Sequence, residues 1–422
     1  MTKQWAKTAF LAGLRGLRGG RLTLRCPDRT YRFGADDDLD ATLVVHDERF
    51  FLRALTGSDI GIGESFMDGD WTSPDLVPLA RLMLRNRRVL DGQIRVFGAL
   101  RQLAGAIARR LRDNSLAGSR RHIHRHYDLG NDFFRLFLDA EVLMYSCGYF
   151  ESAEDSLETA QTRKIDRICR RLALAPTDHV LEIGSGWGGF AVWASTHYGC
   201  RVTTTTISDE QFRHVREWTS KLGEAGSRID VLRADYRELT GRFDKIVSIE
   251  MFEAVGLKRY DDYFSAADRL LAPDGAMLLQ TITVDDQWFP KYHGTPDWIE
   301  KYIFPGGELA SVGEVLASLA RTTSLSMYHA ENFGTHYART LHAWRVRFHQ
   351  NLARVRALGF DERFIRMWDL YLASCEASFL ERHAGLFQML LVKNHSARPL
   401  FNEPWSDARG SADAAARRES AA

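Results

Sequence analysis

The sequence predicts an α/β protein built on a doubly wound, mostly parallel sheet, with a smaller α+β domain before it. Two observations predict this. After about Leu157, strand-like and helix-like segments alternate, the mark of βαβ units. Within that region His179–Ser195, HVLEIGSGWGGFAVWAS, passes from an apolar strand (Val180, Leu181, Ile183) through Gly184, Gly186, Gly188 and Gly189 into an apolar helix. Glycines serve where a backbone turns tightly and approaches a ligand. A strand, a glycine turn and a helix N-terminus together make a nucleotide-type site at the carboxyl edge of a parallel sheet.

Residues 1–75 mix short apolar runs with Gly/Asp clusters. Thr30–Phe33 and Ala41–His46 read as strands, Glu48–Leu55 as a short helix, and Gly61–Trp71 as a turn-rich stretch with aromatics. From Leu79 to His126 twelve arginines, including Arg81, Arg85, Arg87, Arg88, Arg109 and Arg110, are interleaved with apolar residues at helical spacing, with only Asp91 and Asp113 against them. Such a basic amphipathic stretch reads as an anionic membrane-surface binder or as a solvated helical linker. A nucleic-acid partner is not expected, because no binding motif accompanies the arginines. His122, His124 and His126 alternate, but no Cys or carboxylate completes a ligand set, so no metal is expected.

The alternating region begins with a helix at Leu157–Leu174. Strands follow at His179–Ile183, Arg201–Ile207, Ile229–Leu232, Phe243–Glu250 and Ala276–Val284, with helices at Ser208–Leu222 and Tyr260–Leu271 and a Pro273–Gly275 turn. Asp285–Ala317 interrupts with six aromatics, either a lid or substrate-pocket wall, or a satellite core cluster. Ser324–Tyr337 returns to the sheet, Leu341–Leu380 is helical and Phe387–Lys393 is a last strand. The composition of 396–422 is that of a disordered tail.

A net charge of +1 identifies no partner. Five scattered cysteines without a CxxC pair argue against a disulfide framework or zinc site and for a reducing compartment. No apolar run approaches the roughly 18 residues of a membrane span. Arg15 and Arg18 break the first apolar stretch, so no signal peptide is read and a cytoplasmic location is expected.

Ligands of doubly wound sheets sit outside the strands' carboxyl ends. The residues placed there are Thr206, Ser208, Asp235, Tyr236, Glu250 to Glu253, and Gln280 to Ile282. Glu182, just before the glycine turn, would repel a phosphate but suits a cationic cofactor such as S-adenosylmethionine. A dinucleotide site would call for an acid ending the second strand, where this chain has Thr206.

The motifs HYDLGNDFF (126–134), MYSCGYF (144–150), LEIGSGWGGFA (181–191), SIEMFEAVG (248–256), KYIFPGG (301–307) and NFGTHY (332–337) resemble the cyclopropane-fatty-acyl-phospholipid synthase family over about Gly61 to Lys393. The resemblance implies an S-adenosylmethionine methyltransferase fold of class I over residues 116–395, behind an N-terminal domain and basic linker over 1–115. It implies transfer of a methyl or methylene carbon to the double bond of unsaturated acyl chains of membrane phospholipids. Cofactor contacts are implied at Tyr145, Ser146, Glu182, Gly184, Gly186, Gly188, Thr206, Ser208, Gln211, Asp235 and Tyr236. Thr206 and Gln211 suit ribose hydroxyls, Asp235 the adenine amino group and Tyr236 its ring.

In the family a bound bicarbonate ion is the general base. By position its cradle here is Cys147 (through backbone), Glu253, Gln280, Ile282 (through backbone) and Tyr337. Two positions depart from the common pattern. Ala254 follows Glu253 where many members have His, and Gln280 stands for a usual His; glutamine donates a hydrogen bond but carries no charge and relays no proton. Two products therefore stay open, a cyclopropane or a methyl- or methylene-branched chain. The resemblance also implies attachment to the inner face of the membrane, and a homodimer through the N-terminal domain is an open possibility.

Overall fold

The computed structural model describes residues 3–35, 38–87, 129–293, 297–394 and 396. The 1–115/116–395 boundary, Arg88 to Arg125, the three alternating histidines and the 397–422 tail lie outside the described residues.

The N-terminal part is a four-stranded sheet in the order β2-β1-β3-β4: β1 Arg21–Arg25, β2 Thr30–Gly34, β3 Asp40–Val45 and β4 Trp71–Thr72. Alternate residues of β1 and β3 face inward, so one face is covered and the other is wet. Leu22, Leu24, Leu43 and Val45 meet Phe50, Phe51, Phe66, Trp71 and Leu82 in the covering core. The helix Lys3–Leu14 and strand β1 add to the elements expected from sequence, and Ala6, Leu14, Leu22 and Leu24 join them to the same core.

Gly61–Trp71 is not a turn region. A helix runs from Arg49 to Met67, with a kink at Ser58 (φ 55°). The glycines serve packing. A Cβ on Gly61 would lie 2.2 Å from the Arg53 carbonyl, and one on Gly63 would lie 2.3 Å from the Trp298 indole. Trp298 belongs to the aromatic insertion, which docks here: its backbone N–H donates to Asp59 (2.9 Å), and Lys301 and the Tyr302 hydroxyl both meet Glu64.

Three arginines of the basic stretch are committed within the protein. On the helix Leu76–Arg85, Arg81 and Arg85 both bind Glu381, at 2.6 and 2.9 Å, and Arg85 also binds Asp38. The Arg87 guanidinium lies 5.4 Å over the Trp288 ring and contacts His383. These side chains hold the N-terminal part to the rest of the chain.

The second sheet has seven strands in the order β10-β11-β9-β8-β5-β6-β7. They are β5 His179–Ile183, β6 Arg201–Thr205, β7 Ile229–Leu232, β8 Phe243–Ile249, β9 Leu271–Val284, β10 Leu325–Asn332 and β11 Ala384–Lys393. β9, β8, β5, β6 and β7 pair in parallel, while β11 is antiparallel to both β9 and β10. Pro273–Gly275 lies in a bulge of β9, between the pairs Phe243–Leu271 and Lys245–Ala276. Buried apolar residues cover both faces, as a parallel sheet requires.

The chain starts at the central β5, moves outward to β7, then returns to β8 on the other side of β5. The switch point therefore falls between β5 and β8. A further, aromatic core gathers around Phe133, Phe134, Phe137, Trp344 and Trp368. The expected helical run 341–380 divides into Gly334–Gln350, Leu352–Ala357 and Glu362–Leu380, and Tyr337 stands on the first of these helices rather than on a strand. Among the described residues no helix is long and apolar enough to cross a membrane.

Candidate active site

Loops from the carboxyl ends of β5 and β8 meet at the switch point, where such sheets place their ligands. After β5, Gly184, Gly186 and Gly188 take φ of 95°, 50° and 94°. A Cβ on Gly184 would come within 2.8 Å of Met251, so the two loops touch because this residue is glycine. A Cβ on Gly186 would meet nothing within 4 Å, which leaves open space before the loop.

A third loop, Val142–Cys147, closes over the first. The buried Asp139 carboxylate accepts the N–H groups of Val142, Leu143 and Met144 at 2.7, 3.0 and 2.7 Å and sets its course. Gly189 lets the Val142 carbonyl approach to 2.3 Å of where a Cβ would sit. Tyr145 then points into the aromatic core, its hydroxyl 2.9 Å from that of Tyr371 and its ring 5.3 Å from Trp344. Ser146 is buried and accepts from the Lys164 ammonium at 2.8 Å.

Lys164 was not singled out from sequence. It is wholly buried, and burial pushes its pKa down to about 8 despite the carboxyl groups of Glu250, Asp139 and Glu182 around it. The Lys164 ammonium is thereby set among carboxyl groups that burial biases toward their neutral forms.

Glu182 itself lies beneath the glycine loop, 2% exposed, where it accepts from the Thr204 hydroxyl at 2.6 Å. Burial pushes its pKa up to about 8, so it is uncharged at neutral pH rather than a free counter-charge. At the end of β6 the Thr206 hydroxyl donates to Gln211 (2.8 Å) and accepts from the Ser208 N–H (3.1 Å). The Ser208 hydroxyl caps the next helix. The Asp235 carboxylate is held by the Arg237 guanidinium at 2.8 Å and by the Arg237 N–H at 3.0 Å. Tyr236 turns into the core, 5.2 Å from Tyr263 and edge-on to it.

The residues expected to cradle bicarbonate do come together, but around another residue. The Cys147 N–H (3.0 Å) and the Gln280 side-chain amide (2.7 Å) donate to Oε1 of Glu250, and the Tyr337 hydroxyl (2.6 Å) donates to Oε2. The Ile282 N–H, the remaining backbone donor, binds Glu253 at 2.5 Å, with Thr281 at 3.1 Å on the same oxygen. Each donor of the expected cradle is therefore taken by a carboxylate of the chain. The residues present do not fit a bicarbonate ion.

Glu253 is pushed up to about 8 by burial and by the neighbouring Glu250, and its second oxygen has no partner among the described residues. A neutral acid suits that position. Burial also raises the pKa of Glu250, but its three donors and Lys164 oppose this. The Cys147 thiol is fully buried and donates to the Gly148 carbonyl at 3.1 Å; burial pushes its pKa well up, consistent with a contribution through backbone alone. Glu250 was legible only as one of several residues at the strand's end. The open space at Gly186 and the glycine loop fit S-adenosylmethionine, which the loop, Thr206 and Gln211 would hold.

The sequence profile of the mycolic acid cyclopropane synthetase family matches residues 114–389. The chain is 38% identical over 357 residues to the cyclopropane-fatty-acyl-phospholipid synthase of Escherichia coli, covering 84% of this chain and 88% of the relative. It is 37% identical over 373 residues to the tuberculostearic acid methyltransferase UfaA1 of Mycobacterium tuberculosis, covering 85% of each. Among solved structures, the cyclopropane synthase MmaA2 from Mycobacterium tuberculosis aligns with a TM-score of 0.61 at 33% identity, covering 65% of this chain and 98% of that one. The mycolic acid cyclopropane synthase CmaA1 complexed with SAH and CTAB aligns with a TM-score of 0.60 at 34% identity, covering 65% and 98%.

Proposed function

The chain belongs to the mycolic acid cyclopropane synthetase family, and from that premise we propose that it modifies unsaturated acyl chains of phospholipids presented at a membrane surface. It is an S-adenosylmethionine-dependent methyltransferase of the cyclopropane-synthase type. One observation carries the substrate reading: a glycine loop and a buried acidic cluster meet an aromatic core at the switch point of the sheet.

When bound, S-adenosylmethionine supplies an electrophilic methyl group; the alkene's π electrons form a carbon–carbon bond to it, the sulfur keeps the old bonding pair, and a carbocation is left on the acyl chain. The protein must hold the double bond in line with that methyl group. It must also exclude water, which would trap the cation as an alcohol. The rings of Tyr145, Trp344 and Tyr337 lie together beside the loop, with Phe379 stacked on Tyr337. Loss of a proton from the transferred methyl closes a cyclopropane. Loss elsewhere, after a hydride shift, leaves a branched alkene. The second outcome stays in view because the uncharged Gln280 stands at the site and one relative is a methyltransferase by name.

The test is incubation with S-adenosylmethionine and vesicles of a mono-unsaturated phospholipid, followed by analysis of the released chains. A gain of one CH₂ per chain is expected. Mild catalytic hydrogenation then separates a cyclopropane, which takes up no hydrogen, from a branched alkene, which does. No gain on any unsaturated phospholipid would refute the reading.

The proposal places the enzyme peripherally on the inner membrane face, held by Arg88, Arg109 and Arg110 at about 1 kcal/mol each. Vesicle binding should weaken with salt and with neutral lipid. Unchanged binding after charge reversal of these three residues would reject the attachment.

A further inference from the structure

We propose that the Glu250 carboxylate is a built-in base, which fills the anion cradle and removes the proton that ends the reaction. This deepens the reading above and rests on it.

The backbone commits Glu250 to this place. It follows the last residue of β8 with φ 50°, a left-handed conformation that a non-glycine residue rarely takes. Such strain is held only where the surroundings determine it. Here the Glu250 N–H donates to the Gln280 carbonyl at 2.8 Å, while the Gln280 side chain donates back to the Glu250 carboxylate. Gln388 donates to the Gln280 side-chain oxygen at 2.9 Å, which turns the amide nitrogen toward Glu250. The glutamine thus serves as an oriented donor, the one service a glutamine can give an anion without a charge of its own.

The donor count points the same way. A carboxylate offers about four lone-pair positions. The Cys147 N–H and Gln280 take two on Oε1, and the Tyr337 hydroxyl takes one on Oε2. Among the described residues nothing takes the fourth. Three donors favour the ionised form, so the arrangement is that of a positioned base with one open lone pair. Oε2, which carries that lone pair, accepts from the Tyr337 hydroxyl, and the Tyr337 ring stands edge-on to Trp344 in the aromatic core.

The step balances. After carbon–carbon bond formation the acyl chain carries a cation next to the new methyl group. The open lone pair on Oε2 takes a proton from that methyl, and the released C–H pair forms the closing bond of the ring. For a branched product the proton comes from a neighbouring chain carbon and the pair forms the alkene. In either case Glu250 ends as a neutral acid and returns its proton to water when product leaves.

The experiment compares the wild type, Glu250→Gln and Glu250→Ala with S-adenosylmethionine and unsaturated phospholipid vesicles in buffer stripped of carbon dioxide. The wild type should keep its full rate without bicarbonate. Glu250→Gln, which keeps shape and hydrogen bonding, should lose at least about 100-fold in kcat while binding S-adenosylmethionine within about 2-fold of the wild type. Its residual product should shift toward a methyl-branched alcohol, as water captures a cation that is not deprotonated. Glu250→Ala should regain activity with added bicarbonate or acetate. Titration with ¹³C-labelled bicarbonate followed by NMR line width should show binding to Glu250→Ala and none to the wild type.

A wild type that needs bicarbonate, or a Glu250→Gln enzyme within about 5-fold of the wild-type rate, overturns the proposal. So does a wild type that binds the labelled ion. A wild type that transfers carbon to no unsaturated phospholipid refutes the functional reading instead, and the labelled-ion titration still decides whether Glu250 fills the cradle.

Discussion

Replacing Glu182 by Gln should make the protein more stable at neutral pH, by an amount that disappears in acid. In the folded chain Glu182 holds its proton up to about pH 8, because burial beneath the glycine loop outweighs the hydrogen bond from Thr204. In the unfolded chain it gives the proton up near its ordinary 4.5. Between those values the folded state binds one more proton than the unfolded state, so stability falls as pH rises through this window and levels off above it. Each pH unit is about 1.4 kcal/mol, and the three units from pH 4.5 to 7.5 come to about 4 kcal/mol at most. A glutamine does not titrate, and the similar contribution of Glu253 is common to both proteins. The gap between the Glu182→Gln and wild-type unfolding free energies should therefore widen by up to about 4 kcal/mol from pH 4.5 to 7.5, read by urea denaturation without cofactor. A gap that stays constant across this range would show that Glu182 is ionised in the fold, and would refute the burial argument. If the carboxyl also answers the cofactor's positive charge, S-adenosylmethionine binding at pH 7 should release close to one proton, seen as a dependence of the calorimetric heat on the buffer's ionisation enthalpy.

Tyr337→Phe removes a donor that favours the ionised form of Glu250, so the pKa of Glu250 rises and the acid limb of the kcat/KM profile should move to higher pH. The rate at pH 7 should fall about 10- to 100-fold, with partial recovery in alkali, from the worth of one hydrogen bond to a charged group; an unmoved profile would contradict this. Gly184→Ala forces a side chain onto a residue at φ 95° and into Met251, and should weaken S-adenosylmethionine binding at least about 10-fold by calorimetry while Gly223→Ala, at a turn with open space, does not. Gly63→Ala drives a methyl into the Trp298 indole and should cost about 1–3 kcal/mol of stability in denaturant unfolding. Glu381→Ala leaves Arg81 and Arg85 without their shared carboxylate and should cost about 1–3 kcal/mol by the same measurement.

The sequence alone determined the strand–glycine–helix unit at His179–Ser195, the alternation that follows it and the sheet edge on which the site lies. These are local patterns, set by backbone sterics at Gly184, Gly186 and Gly188 and by the spacing of apolar residues on either side. Motif order also brought Cys147, Gln280 and Tyr337 into one expectation. The role of Gly61 and Gly63 was not legible, because what requires them is contact: Gly61 admits a carbonyl of its own helix and Gly63 admits an indole from far along the chain. The pairing of Arg81 and Arg85 with Glu381 was hidden for the same reason, since a run of arginines shows its charge and not its partners.

The occupant of the cradle was decided by tertiary structure. In SIEMFEAVG two glutamates stand three residues apart, and nothing local says which carboxylate enters the ring of donors. Glu250 enters because a left-handed residue at the end of β8 turns its side chain toward donors delivered by three separate elements: the loop before the helix Leu157–Arg171, strand β9, and the helix Gly334–Gln350. A glutamate's own preference does not favour that backbone conformation. The hydrogen bonds that hold it exist only once those elements are packed together.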